Sequence, residues 1–164
     1  MKITLWVLGI GFFSLVIFFV LGKYSSGQKP LSLGEQELLS CGSKPNCVCS
    51  EEVQMPSQAI DPLRFDGDGN VRDLLVEAIS LSGGVVIDES TTVISATYTS
   101  RVFGFVDDVV FKLEESDRVA QVISASRVGH SDLGANRKRI EDLRIRLTPP
   151  ILSIFFPLDS RLFV

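Results

Sequence analysis

Residues 3–21 are an unbroken apolar run of nineteen residues without a charge, closed by Gly22 and Lys23. As a helix rising about 1.5 Å per residue, the run spans roughly 28 Å, close to the thickness of a bilayer's hydrocarbon core. Trp6 and Tyr24 lie towards its two ends, where amphipathic rings favour membrane interfaces. A helix buried in a soluble core would show a polar face, and here only Thr4 and Ser14 are polar. Residues 1–22 are therefore expected to be a transmembrane anchor. The run is longer than the apolar region of about 7–15 residues in a cleaved signal. Ser25-Ser26-Gly27 offers small residues for a peptidase, yet the length favours an uncleaved signal-anchor. Lys2 against Lys23 and Lys29 is nearly a tie for orientation. A short positive head before a long apolar run, together with the cysteines, favours a single pass through the inner (cytoplasmic) membrane with the C-terminal domain outside the cytoplasm.

The remaining chain is acidic. Sixteen Lys and Arg stand against twenty Asp and Glu, a net of −4. Three of those cations (Lys2, Lys23 and Lys29) precede the first acidic residue, leaving thirteen against twenty, a net of −7. Nucleic-acid binding rests on neutralising phosphates, so that class of partner is not expected. Residues 23–40, with Gly, Ser and Pro clustered in 24–34, are expected to form a tether, and 41–164 a globular domain.

Cys41, Cys47 and Cys49 share one short stretch. Gly42 and Pro45-Asn46 favour a tight loop that brings Cys41 within disulfide reach of Cys47, leaving Cys49 as a spare thiol, either buried or open to an intermolecular bond. Three sulfurs in one loop are an incomplete zinc set, because the single histidine, His130, lies far along the chain, and no metal or other cofactor is expected. Asp66, Asp68, Asn70 and Glu77 match positions 1, 3, 5 and 12 of a calcium loop, but Val71 stands where that loop needs glycine. From residue 71 to 81 apolar residues recur at helical spacing, so a helix capped by Asp68 or Asn70 is expected instead.

Strands are expected at 85–88, 92–99, 102–113 (one long bent strand or two short ones) and 119–128, joined by loops short enough to make neighbours antiparallel. A second helix is expected over 133–147, beginning at Ser131 or Asp132, with Leu133, Ile140, Leu143 and Leu147 on its apolar face and Thr148-Pro149-Pro150 stopping it. The fold class is therefore α+β: an antiparallel four- to five-stranded sheet with two packed helices, preceded by one N-terminal transmembrane helix. The apolar stretch 151–156 is either an edge strand, a strap over the core, or a contact with the bilayer surface.

Polar residues concentrate at 124–139, with Arg127, His130, Asp132, Asn136, Arg137 and Arg139, and at Asp107-Asp108 within an apolar strand. Neighbours in a strand face opposite sides of a sheet, so Asp107 and Asp108 cannot share a proton as a catalytic pair unless a bulge intervenes. One is expected to be solvated and the other to meet Arg127, Arg137 or Arg139, in a cluster converging on one spot. The cluster is either a structural network docking the last helix or, with the backbone N–H groups after Gly129, a seat for an anion.

Pro45-Asn46-Cys47-Val48, Phe105-Val106-Asp107-Asp108, and Ser126-Arg127-Val128-Gly129 continuing through Asp132, Gly134, Asn136 and Arg139 occur in this order. Over residues 41–147 the chain thereby resembles the uncharacterised family known as domain of unknown function 1499. It departs from that pattern at Cys49, where serine is usual. The resemblance implies an exported or membrane-attached domain and brings no activity or cofactor. The functional expectation is a non-catalytic, membrane-tethered cell-envelope domain, periplasmic in placement. It meets the lipid bilayer through residues 3–21 and binds an envelope protein partner or a small anionic ligand. The alternative is an envelope enzyme using His130 or Asp107/Asp108 as general acid or base.

Overall fold

The structure, a computed structural model, describes residues 2–31, 37–66 and 69–148. The expectations for Asp68, Pro149-Pro150 and 151–156 lie outside these residues. The fold is α+β, with an antiparallel sheet, two helices against it and an apolar N-terminal helix. Helix α1 (Lys2–Ser26) precedes β1 (Cys47–Cys49), β2 (Leu63–Arg64), α2 (Val71–Leu81), β3 (Val85–Glu89), β4 (Val93–Thr99), β5 (Val106–Glu114), β6 (Val119–Ser126) and α3 (Ala135–Leu147). The sheet runs β1-β6-β5-β4-β3, with β2 also on β6, and every pairing is antiparallel. Two of its six strands, β1 and β2, were not expected. At three residues and two, they are too short to carry a period-two pattern.

Side-chain alternation divides the core into two layers. Val109, Phe111 and Leu113 of β5, Ile94, Ala96 and Tyr98 of β4, and Ala120 and Val122 of β6 face the helices. There they meet Leu75 and Ile79 of α2 and Ile140 and Leu143 of α3, all four fully buried. Each such aliphatic side chain contributes about 1.5–3 kcal/mol by leaving water. On the other face Val93, Val110, Ile123 and Ala125, with Cys47 and Cys49 of β1 beside them in the sheet, pack with Leu39 and Cys41. The residues just before β1 thus help to cover the second layer.

Helix α2 begins where its spacing places it. The Asn70 side chain accepts from the amides of Arg72 (2.9 Å) and Asp73 (3.2 Å), and Asp73 stands in the first turn. Because the chain is helical from Val71, Glu77 lies well inside α2 and does not fold back on Asp66 as a calcium loop requires. Helix α3 begins later than expected. Leu133 and Gly134 take left-handed backbone (φ 52° and 81°), because the Ser131 and Asp132 side chains bond the amides of Leu133 and Gly134 and hold a turn. Leu133 is 97% exposed rather than on the apolar face, and Asn136 occupies that face beside Ile140.

The first part of the expected tether is ordered on the domain. Helix α1 continues to Ser26, and the Ser25 hydroxyl, fully buried, accepts from the Val106 amide (3.0 Å) and donates to its carbonyl (3.3 Å). A Cβ on Gly22 would stand 1.7 Å from the Phe103 carbonyl oxygen, so only glycine permits this approach. Leu31 packs on the second core layer.

Cys41 and Cys47 form a disulfide, and Cys49 is a buried free thiol that donates to the Leu39 carbonyl (3.0 Å). Burial pushes the Cys49 thiol up, so it stays protonated and inert. Opening a loop this short by Cys41→Ser with Cys47→Ser is expected to cost about 2 kcal/mol, read as a lowered denaturant midpoint in urea unfolding. In the native oxidised protein Cys49 should resist maleimide until the chain unfolds, which mass spectrometry of alkylated protein reads directly.

Candidate functional site

The polar residues gather at the end of the sheet where β6 leaves and α3 begins, and they divide by sheet face. Asp107 and Asp108 pair with Ser126 and Ala125 in register, with no bulge between them, so the two carboxylates point to opposite faces. Both carboxylates are paired, where one was expected to be solvated, and they do not converge on one spot. Each meets the arginine its own face offers.

On the helix face, Arg139 of α3 donates from Nη2 to Asp107 (2.5 Å), with the two side chains only 12% and 14% exposed. Its guanidinium lies over the Tyr98 ring, 4.6 Å from the centroid. Nη1 donates to Asn136 Oδ1 (2.7 Å) and to the Ser124 hydroxyl (2.9 Å). Asn136 is fully buried and spends both ends of its amide. Oδ1 also accepts from Ser124 Oγ (2.6 Å), and Nδ2 reaches the Asn46 carbonyl (3.0 Å), Ser126 Oγ (3.1 Å) and Asp132 (2.8 Å). Asn46, itself buried, donates from its side chain to the carbonyls of Val128 and Gly129. One asparagine thereby ties α3, β6 and the disulfide loop together.

Asp132 closes the start of α3. Its carboxylate accepts from the amides of Gly134 (3.2 Å) and Asn136 (2.8 Å), the position an external anion would need. Burial alone would raise this carboxyl. The amides of Asn136 and Gly134 and the Asn136 side chain outweigh burial and hold it below the usual carboxylate range. The anion seat expected after Gly129 is thus filled by the chain's own side chain. Arg137 does not join the cluster and donates instead to the carbonyls of Ser57 (2.9 Å) and Ala59 (2.7 Å).

On the opposite face Arg127 grips Asp108 through Nε and Nη2 (2.8–3.1 Å), with side chains 7% and 6% exposed. Its Nη1 donates to the Gln28 carbonyl (2.8 Å), which fastens the stretch after α1 to the sheet. Beside this pair lies a cleft of about 580 Å³ that includes Lys29, Leu31, Ile87, Thr97, Thr99 and Arg127 in its lining. Ser95, Thr97 and Thr99 of β4 contribute hydroxyl side chains to that lining.

His130 sits exposed in the turn, with no hydrogen bond or ion pair among the described residues. Nor do three His, Cys, Asp or Glu side chains gather to share a cation among those residues. Asn46, Ser124, Ser126 and Tyr98 were missed as members of the network. Period-two alternation from Asp107 and its partner Ser126 would have placed the serines on the Asn136 side, whereas Pro45-Asn46 carried only a turn signal.

Asn136→Ala leaves the Ser126 hydroxyl without its partner and takes one bond each from Ser124, the Asn46 carbonyl, Asp132 and Arg139 in a dry site, and is expected to cost on the order of 3 kcal/mol or more in urea unfolding. Asp132→Asn, which keeps an acceptor for Gly134 but turns a donor towards the Asn136 amide and side chain, should cost about 1–2 kcal/mol at neutral pH, as a lost hydrogen bond to a charged group does. The sign follows from the lowered folded-state pKa. The carboxylate's stabilisation is fully present above the unfolded pKa and fades as pH falls through the folded one. The stability gap between wild type and Asp132→Asn should therefore narrow on acidification below the ordinary carboxylate range; a gap that widens there would contradict this account.

A family model described as protein of unknown function (DUF1499) matches residues 37–147. No match was found among curated proteins or among solved structures. The match covers both ion pairs, the Asn136 network and the disulfide, and it takes in most of the chain. The protein belongs to the DUF1499 family.

Proposed function

We propose that this protein is a non-catalytic binding domain of the cell envelope, held by α1 at the outer face of the cytoplasmic membrane. Its partner, or a small anionic ligand, engages the cleft beside the anchor. The observation that carries this reading is the contrast between the two polar regions. The Asn136 network spends its donors and acceptors internally, whereas the cleft between the post-anchor stretch and β4 is open and combines Lys29 and the hydroxyl side chains of β4 with Asp88 and apolar residues in its lining. A general acid or base needs a reacting partner within reach, and neither the saturated carboxylates nor His130 has a nucleophile placed for one. The Cys41–Cys47 bridge supports an oxidising compartment. The apolar helix is long enough to span a membrane, with 6% of its most apolar stretch buried against the rest of the chain.

Two measurements test the reading. Ser116→Cys places a thiol in an exposed turn. A membrane-impermeant maleimide added to intact spheroplasts should label it, and labelling only after lysis would put the domain in the cytoplasm. Calorimetric titration of the detergent-solubilised full chain with inorganic phosphate and glycerol phosphate should give a binding heat that Lys29→Glu removes and Asp132→Asn retains. Silence with both anions removes the anionic-ligand version.

A further inference from the structure

The hairpin between β4 and β5 does not end in solvent. Ser25 bonds Val106, Gly22 lies against the Phe103 carbonyl, and the Phe18 and Phe19 rings stand 5.1 and 5.4 Å from that of Phe103. Phe105 completes the group, with its ring 6.4 Å from those of both Phe18 and Phe103. Going back from Val106 to Phe103, the hairpin therefore follows α1 back towards its amino terminus, deeper along the apolar run. Phe18 and Phe19 precede Leu21, the last residue of that run, by three and two positions, about 3–4.5 Å along the helix axis.

We propose that the tip of this hairpin, residues 101–104, is seated in the headgroup–acyl boundary of the bilayer beside α1, as a second membrane contact of the domain. The proposal rests on α1 spanning the membrane. Val102 is 68% exposed at the tip, next to rings that are themselves half out of the protein. Lipid is the occupant that the apolar surface of α1 already requires, and Val102 and Phe103 extend that surface sideways without a break. Hydrogen bonds through Ser100 close the base of the turn. The Ser100 amide donates to the Phe105 carbonyl (2.8 Å), the Gly104 amide to the Ser100 carbonyl (3.1 Å), and the Phe105 amide to the Ser100 hydroxyl (2.9 Å). Arg101, exposed at the edge of the tip, is placed to extend its guanidinium to lipid phosphates while its stem stays among the acyl chains. A helix and a hairpin held together at the boundary fix how the domain stands on the membrane, which one helix on a loose tether does not.

The test uses the full chain in vesicles of phosphatidylethanolamine and phosphatidylglycerol. With Cys41 and Cys47 bridged and Cys49 buried, an introduced cysteine is the accessible thiol. A polarity-sensitive fluorophore is attached at Val102→Cys, at Phe12→Cys in α1, and at Ser116→Cys at the far end of β5. The expected result is blue-shifted emission at positions 102 and 12, lost as spin-labelled phospholipid replaces plain lipid, with neither change at 116. Quenching at 12 but not at 102 overturns the proposal and leaves the anchor standing. A blue shift at 102 that lipid quencher does not touch means burial against a second protein copy, and overturns it as well. Absence of quenching at both 12 and 102 removes the membrane-spanning reading, and the proposal with it.

Discussion

Two adjacent carboxylates on a regular strand cannot look the same way, and the architecture is fastened through that constraint. β5 is the centre of the sheet, and its register with β6 runs unbroken past Asp107 and Asp108. Asp107 therefore serves the helical layer, drawing Arg139 of α3 onto Tyr98 and the sheet. Asp108 serves the other side, where Arg127 holds it and the Gln28 carbonyl together. Each pair is nearly dry. A buried ion pair adds little net stability over an apolar replacement, but losing one partner leaves a costly lone charge. The arrangement therefore acts less as a source of stability than as a specification of which elements dock where.

Asn136 carries the same logic into the helical layer. An amide with two acceptor sites and two donors satisfies groups from β6, the disulfide loop and the turn before α3 at once. A hydrophobic residue at this point of the helical stripe would bury well yet leave the Ser126 hydroxyl without a partner and strip one bond each from Ser124 and the Asn46 carbonyl. The polar residues that distinguish 124–139 are thus largely consumed in holding the fold, and the cleft proposed for a ligand lies elsewhere, beside α1.

Helix α1 is part of this structure rather than an appendage to it. Ser25, Gly22 and the Phe18–Phe19 pair meet the first residues of β5 and the hairpin before it, while Gln28 is held by the Asp108–Arg127 pair. The strand that carries both carboxylates is thereby coupled to the helix proposed to lie in the membrane. A change in the tilt of α1 would reach the sheet through the Ser25–Val106 and Gln28–Arg127 hydrogen bonds.

Much of this was legible in the chain itself. An unbroken apolar run, the helical spacing of 71–81 and the alternation of 93–99 and 106–114 are local periodicities, and local periodicity is set by backbone geometry alone. The Cys41–Cys47 bridge belongs with them, because a six-residue separation around Gly42 and Pro45 is itself a local constraint. What only tertiary structure decided was pairing at a distance. Arg139 chose Asp107, Arg127 chose Asp108 and Gln28, Arg137 chose carbonyls of another loop, and Leu133 was left in the open while Asn136 took the buried place. Two-residue and three-residue strands likewise exist only because β6 offers them an edge. Such choices depend on which face a residue presents and on what the rest of the chain brings to that face, and a one-dimensional pattern holds no record of the second.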